Sequence, residues 1–191
     1  MKKKLAFLIV FLGVLTIFSS CKKDKENNDD EGNAQKSESY LTIDGTVYEL
    51  DKAYVAVSGW SDDNYLKLYL FSSKVAYSSF MSGFMGTGAG IKMAFDFSTP
   101  TIVLPEGTYT YVEDGDVPFE GKNFSECQFA SNVNWWMSMN GLRSLKNGTI
   151  SVVKSGAIYT INLSGTDAFG REVKCYYKGT ISELESVIDV F

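Results

Sequence analysis

Two adjacent tryptophans, Trp135 and Trp136, are the side chains of this sequence best suited to hold a ligand. They lie in the segment ASNVNWWMSMNG (130–141), where Asn134 and other asparagines supply amide donors and acceptors. Neighbouring residues on a strand point to opposite faces, so one indole can enter a core while the other faces solvent or a partner. A flat ring beside amides suits the face of a sugar. Trp60, in the predicted loop SGWSDDNY, is another aromatic of this kind.

We therefore predict that Trp60, Trp135, Trp136 and Asn134 are candidate ligand-binding residues. The alternative is that all three indoles pack in the core or at its rim, because aromatic side chains dominate core energetics.

The absence of histidine limits the enzymatic chemistry that this chain can perform. It excludes Ser-His-Asp and Cys-His nucleophiles, histidine metal sites and imidazole proton transfer. A glycosidase would need only two carboxyl groups about 5–10 Å apart. The acids that could contribute are Asp62, Asp63, Asp96, Glu113, Asp114, Asp116, Glu120 and Glu126. The sequence does not pair them, so we predict no catalytic residue and no cofactor, and a carboxylate-dependent glycan hydrolase on a β-sandwich scaffold is the alternative function.

The segment VEDGDVPFEG (112–121) concentrates acids around Gly115. Calcium takes 6–8 oxygen ligands, so such a loop could bind it. The spacing does not match the twelve-residue EF-hand, and we predict an ordinary acidic loop without a metal.

Position 21 is a cysteine at the boundary between an apolar run and a charged one. Lys2 to Lys4 and the apolar residues 5–18 have the form of a secretory signal peptide, and the run is shorter than the roughly 20 residues of a membrane-spanning helix. The sequence Phe18-Ser19-Ser20-Cys21 resembles the lipobox of bacterial lipoproteins, with Phe18 where that motif usually has leucine. The resemblance implies cleavage after residue 20 and acylation of Cys21. The alternative is an ordinary signal peptide with an incidental cysteine.

The following residues, CKKDKENNDDEGN and the rest of 21–37, are typical of a flexible tether, since they include no aromatic or β-branched side chain. The combination resembles lipoproteins of the Bacteroidetes and implies the outer membrane, with the periplasmic and surface faces both open. Without residues 1–20 the chain has 15 basic and 23 acidic residues, a net charge of −8. This charge argues against a nucleic-acid partner.

Cys127 and Cys175 remain as possible partners of each other. In an oxidising compartment such a pair is a candidate disulfide. The alternative is two small buried hydrophobic residues, because Cys175 shares a predicted inward face with Val173 and Tyr177.

The rest of the chain has the two-residue period of β-strands. Asp44-Gly45 and Ser155-Gly156 are predicted hairpin turns. The predicted strand regions are 40–50, 53–59, 64–72, 90–97, 104–112, 148–165 and 171–182, while SELESVIDVF at the end is ambiguous between a strand and a short helix. We predict a single all-β domain at 38–191, an antiparallel β-sandwich or a flattened β-barrel.

A second resemblance concerns this domain. LPEGTYTY and the later NGTISVVKSGAIYTINLSGTDAFGREVKCYYKGTI are similar to a pattern in uncharacterised Bacteroidetes lipoproteins. The resemblance implies a β-sandwich or calycin-like barrel and carries over no catalytic residue. We expect a lipid-anchored, non-catalytic binding or interaction module of the cell envelope, with a glycan or an envelope protein as its partner.

Overall fold

The computed structural model describes residues 38–58, 65–96, 102–113, 122–136 and 141–184. These residues form thirteen strands and no helix, which confirms the all-β prediction. The strands are β1 (Tyr40–Ile43), β2 (Thr46–Glu49), β3 (Lys52–Ser58), β4 (Tyr65–Phe71), β5 (Ala76–Ser78), β6 (Gly83–Met85), β7 (Thr87–Asp96), β8 (Gly107–Tyr111), β9 (Asn123–Asn134), β10 (Arg143–Ser155), β11 (Ile158–Asp167), β12 (Glu172–Gly179) and β13 (Ser182–Leu184).

Eleven of these strands form one curled sheet, in the order β13-β3-β4-β7-β9-β8-β10-β11-β12-β1-β2. The strands β5 and β6 form a separate small sheet. The curled sheet is consistent with the predicted sandwich or flattened barrel. Most pairings in the curled sheet are antiparallel, as predicted, but the sheet is mixed, because β13 pairs with β3 and β8 pairs with β9 in parallel.

The first predicted hairpin turn, Asp44-Gly45, lies where the sequence indicated, whereas the second consists of Gly156 and Ala157, one residue later than the predicted Ser155-Gly156. Asp44 and Gly45 connect β1 to β2 with φ values of 51° and 77°. Gly156, with a φ of 61°, lies in the turn from β10 to β11. Positive φ is the conformation that glycine and aspartate tolerate best, so these residues fix the register of both hairpins.

The concave side of the curled sheet holds the main core. Every second residue of the long strands faces it, as the alternating pattern predicts. Its fully buried members include Leu41, Leu66, Leu68, Leu70, Ile91, Phe95, Phe124, Phe129, Ile150, Ile161 and Val173.

A second apolar cluster covers the outer side of β3, β4, β7 and β9, which we call the covered face. Phe84 of the small sheet packs there with ring-centroid distances of 4.5 Å to Tyr69 and 4.7 Å to Phe71. Trp135 completes the cluster, edge-on to Phe71 at 4.7 Å. This half of the sheet is therefore buried on both sides.

Cys127 and Cys175 are free cysteines in the structure, which corrects the candidate disulfide. Both occupy inward positions, on β9 and β12, and are buried among the apolar side chains of the main core. Burial raises the pKa of both thiols, that of Cys175 to about 12, so they stay protonated at neutral pH. They act as small hydrophobic residues.

The end of the chain is a strand as far as it is described, since Ser182–Leu184 forms β13. In the described part of the chain, no helix is long and apolar enough to span a membrane. The predicted signal peptide, the acylation site at Cys21 and the tether lie outside the described residues.

Candidate ligand-binding face

The outer side of β8, β10, β11, β12 and β1 carries polar side chains, and we call it the open face. A single cross-strand row runs over it, in which each residue pairs with the next across the sheet. We call it the tyrosine row; its members, in order, are Tyr40, Tyr176, Asn162, Ser151 and Thr108. One row thus crosses five strands with an aromatic pair at one end.

The sequence creates this face by alternation. In β11, Tyr159, Ile161 and Leu163 are buried in the main core. The residues between them, such as Asn162 and Ser164, are exposed. Successive side chains point to opposite faces, so the apolar positions fix the polar ones outward.

Tyr40 and Tyr176 form a stacked pair, with ring centroids 5.8 Å apart and an interplanar angle of 29°. Tyr40 is 39% exposed although it is a large aromatic residue. A pair of rings fixed across two strands loses little further conformational freedom when a ligand binds to it.

A groove of about 300 Å³ follows the row. Besides the tyrosine row, Thr149, Ser164 and Lys174 line it. The side chains of Asn162, Ser151 and Thr108 make no hydrogen bond to any other described residue. An amide and hydroxyl groups in these positions can both donate to a ligand and accept from it.

The charges around the groove are balanced. Lys174 pairs with Glu172 at 2.7 Å, and Lys178 lies 3.9 Å from Glu38. Among its described lining residues the groove has no carboxylate. The open face therefore presents hydrogen-bonding groups without a strong field of either sign, which suits an uncharged polar ligand.

Trp135, a predicted ligand-binding residue, is a core residue of the covered face. It is only 5% exposed, and its indole N–H donates to the carbonyl oxygen of Gly88 at 3.1 Å. A methyl group on Gly90 would lie 2.9 Å from Cζ2 of the indole, so glycine makes room for the ring. The prediction for Trp135 was wrong, because the small sheet buries the face on which it lies.

Trp136 and Asn134 lie at the edge of the covered face and away from the groove. Asn134 Oδ1 accepts a hydrogen bond from the backbone N–H of Trp136 at 3.1 Å. The half-buried Trp136 ring lies against Gly83, where a methyl group would be 2.9 Å from Cε3. Both side chains therefore make contacts with neighbouring residues at this edge. Trp60 lies outside the described residues.

Of the predicted acids, the two whose side chains are described, Glu113 and Glu126, are both in ion pairs. Glu113 pairs with Lys146 at 2.5 Å, and Glu126 lies 3.3 Å from Lys67. No group of three or more metal-ligating side chains occurs in the described ranges. Of the other predicted acids, the side chain of Asp96 is not described, and Asp62, Asp63, Asp114, Asp116 and Glu120 lie outside the described residues.

Sequence reasoning missed Tyr40 and Tyr176. Both stand at outward positions of strands whose inward positions are apolar, in YLTI and EVKCYYKG. An outward tyrosine on each of two strands could have been recognised from the sequence. That the two rings lie side by side depends on the register of β1 with β12, which the sequence does not show.

The comparison with known proteins identified no related protein. No protein-family model, no curated protein and no solved structure matches this chain.

Proposed function

We propose that this protein is a lipid-anchored envelope protein whose β-domain binds a neutral glycan without catalysis. The observation that supports it is the tyrosine row, in which a stacked aromatic pair continues into an amide and two hydroxyl groups along one groove. Aromatic rings accept the apolar face of a sugar, and amide and hydroxyl groups match its hydroxyl groups.

The length of the row favours an oligosaccharide over a single sugar. Strands lie about 4.8 Å apart, so four steps from Tyr40 to Thr108 span roughly 19 Å. A linear glycan crossing the strands would contact the tyrosine pair at one end and the hydroxyl groups at the other.

The balanced charges around the groove favour a neutral glycan. The lysines near it are paired with glutamates, so an acidic sugar finds no free cation there among the described residues. The net charge of −5 for the whole chain also disfavours polyanions such as nucleic acids.

The absence of carboxylates among the described groove residues favours binding without hydrolysis. A hydrolase of this kind would place two carboxyl groups on either side of the bound sugar.

The anchor belongs to the same proposal. Cys21 precedes Tyr40 by a polar segment with the composition of a flexible tether. Acyl chains on Cys21 would hold the domain at the outer membrane, since each buried methylene contributes about 0.8 kcal/mol.

A glycan array tests the binding site. The mature chain with Cys21→Ser is compared with the same chain carrying Tyr176→Ala or Asn162→Ala. We expect both variants to bind the preferred neutral glycan at least about tenfold more weakly, a loss of about 1.4 kcal/mol. Phe80→Ala is the matched control, because Phe80 is 93% exposed and lies away from the groove. Equal binding by all variants would contradict the proposed site.

Metabolic labelling tests the anchor. In the native organism, the wild-type chain should incorporate labelled palmitate and fractionate with membranes, while the Cys21→Ser variant should do neither. Equal labelling of both proteins would contradict acylation at Cys21.

A further inference from the structure

A second cavity, of about 520 Å³, lies on the opposite side of the sheet from the tyrosine row. It opens at the end of the main core, between β3 and β13 on one side and the turn from β10 to β11 on the other. Its floor is apolar and consists of Val55, Leu104 and Tyr159, each less than 10% exposed. Ile102 and Ile181 form half-buried walls. This volume is in the range of small-molecule sites.

A lysine stands at the rim of this cavity. The ammonium group of Lys154 lies 4.9 Å from the centroid of the Tyr159 ring, above the apolar floor. Its backbone N–H donates to Glu106 Oε1 at 2.7 Å, which fixes the position of the strand end. The Lys154 side chain makes no ion pair with any described residue.

A glutamate on an edge strand lines the same cavity. Glu183 of β13 is in register with Val55 of β3, which faces the main core. Side chains that are adjacent across a sheet lie on the same face, so Glu183 also points to the inner side. Its neighbour Leu184 packs into the apolar cluster of the covered face. In the described ranges, the Glu183 carboxylate has no ion-pair partner.

We propose that this cavity binds a small zwitterion with an apolar side chain, that is, an apolar amino acid or a short apolar peptide. The ligand carboxylate would pair with Lys154 and its ammonium group with Glu183, while its side chain would cover Val55 and Leu104. This site is independent of the glycan site and does not rest on it.

The two charges decide the class of ligand. A fatty acid would satisfy Lys154 but place its carboxylate in the same cavity as the Glu183 carboxylate. An amine would bring its charge close to the ammonium group of Lys154. A ligand with both charges satisfies both side chains, and its apolar part removes the floor from water at about 25 cal/mol per Å² of buried area.

A protective role for Glu183 is the competing explanation. Inward-pointing charges on edge strands prevent sheets from pairing with other molecules, and β13 is an edge strand. In that case the cavity would bind no ligand, and removal of the charge would promote association of the protein.

NMR titration of the ¹⁵N-labelled mature chain with Cys21→Ser separates these explanations. The probes are phenylalanine, alanyl-phenylalanine, 3-phenylpropionate, which lacks the ammonium group, and phenethylamine, which lacks the carboxylate. We expect saturable shifts at Lys154, Tyr159 and Glu183, with phenylalanine or its dipeptide binding at least tenfold more tightly than either singly charged probe. No saturable binding of either zwitterion, or equal binding of 3-phenylpropionate, would overturn the proposal.

Two substitutions of exposed residues then assign the charges. Lys154→Met should weaken binding of the zwitterion at least tenfold without weakening that of phenethylamine. Glu183→Gln should weaken binding of the zwitterion to a similar extent without weakening that of 3-phenylpropionate. Lys178→Met, on the open face, is the control and should change nothing. Retained zwitterion selectivity in both variants, or concentration-dependent association of Glu183→Gln without any ligand effect in the wild type, would overturn the proposal.

Discussion

The covered face and the open face are two halves of the outer side of one curled sheet. The covered face is buried, whereas the open face is exposed to solvent. On the covered face, aromatic side chains such as Tyr69 and Phe71 are buried beneath the small sheet. On the open face, residues at equivalent outward positions are polar and exposed, as Asn162 and Ser164 are. The inner sides of both halves form the same main core.

The difference shows that the outward residues decide the role of each half. In YLKLYLF of β4 the outward positions are largely aromatic, so this face gains stability when another element covers it. From Thr160 to Ser164 in β11 they are hydroxyl and amide groups, which would lose hydrogen bonds to water if covered. One half is therefore a packing surface and the other is available for a polar ligand.

Removal of an aromatic ring from the covered face should have the largest effect. We expect Trp135→Ala to lower the free energy of unfolding by about 3–5 kcal/mol, because it leaves a cavity beside Phe71 and removes the hydrogen bond to Gly88. Urea denaturation of the mature chain with Cys21→Ser measures the change. Tyr176→Ala is the matched aromatic truncation on the open face and should cost less than about 1 kcal/mol. Similar losses for both would remove the distinction between the faces.

The open face depends on a turn that acid should weaken. Asp167, at the end of β11, is 3% exposed and accepts hydrogen bonds from the backbone N–H groups of Phe169 and Arg171 at 2.8 and 3.0 Å. Its other oxygen accepts from the Arg171 side chain at 2.8 Å. Burial alone would raise the pKa of Asp167, but these hydrogen bonds and the charge of Arg171 hold it below the ordinary value.

Because the folded pKa is lowered, the ionised carboxylate contributes stability above the pKa of the unfolded chain, about 3.9, and loses it as the pH falls through the folded value. We expect amide hydrogen exchange in β11 and β12 to accelerate in this acid range before that of β4 and β7. Asp167→Asn should cost about 1.5–3 kcal/mol at neutral pH and reduce the pH dependence. Equal acid sensitivity of both halves in the wild type would contradict this account.

The sequence predicted those features of the fold that depend on residues close together in the chain. The alternation in NYLKLYLFS predicted one face with Leu66, Leu68 and Leu70, and these residues lie in the main core. The turns at Gly45 and Gly156 also followed, because positive φ favours glycine. The parallel pairs did not, since nothing in the short strands β8 and β13 indicates which distant strand they join.

The candidate site did not follow because it depends on register between distant strands. Tyr40 and Tyr176 are far apart in the sequence and become neighbours only when β1 pairs with β12. A shift of one residue would turn either side chain to the other face. For Trp135 the sequence left a binding role and a place in the core both open, and only the structure shows that the small sheet covers its face.

The smallest expected effect is the coupling within the tyrosine pair. Tyr40→Ala, Tyr176→Ala and the double variant form a thermodynamic cycle in which we expect a coupling energy of about 0.2–1 kcal/mol, as for other cross-strand pairs. The pair contributes this little because Tyr40 stays 39% exposed and its ring is only partly removed from water by Tyr176. The same three variants should lose most of the glycan binding, so the ratio of lost affinity to lost stability is high on this face. A coupling energy well above this range, with glycan binding unchanged, would mean that the tyrosines hold the sheet together and that the open face is only a polar surface.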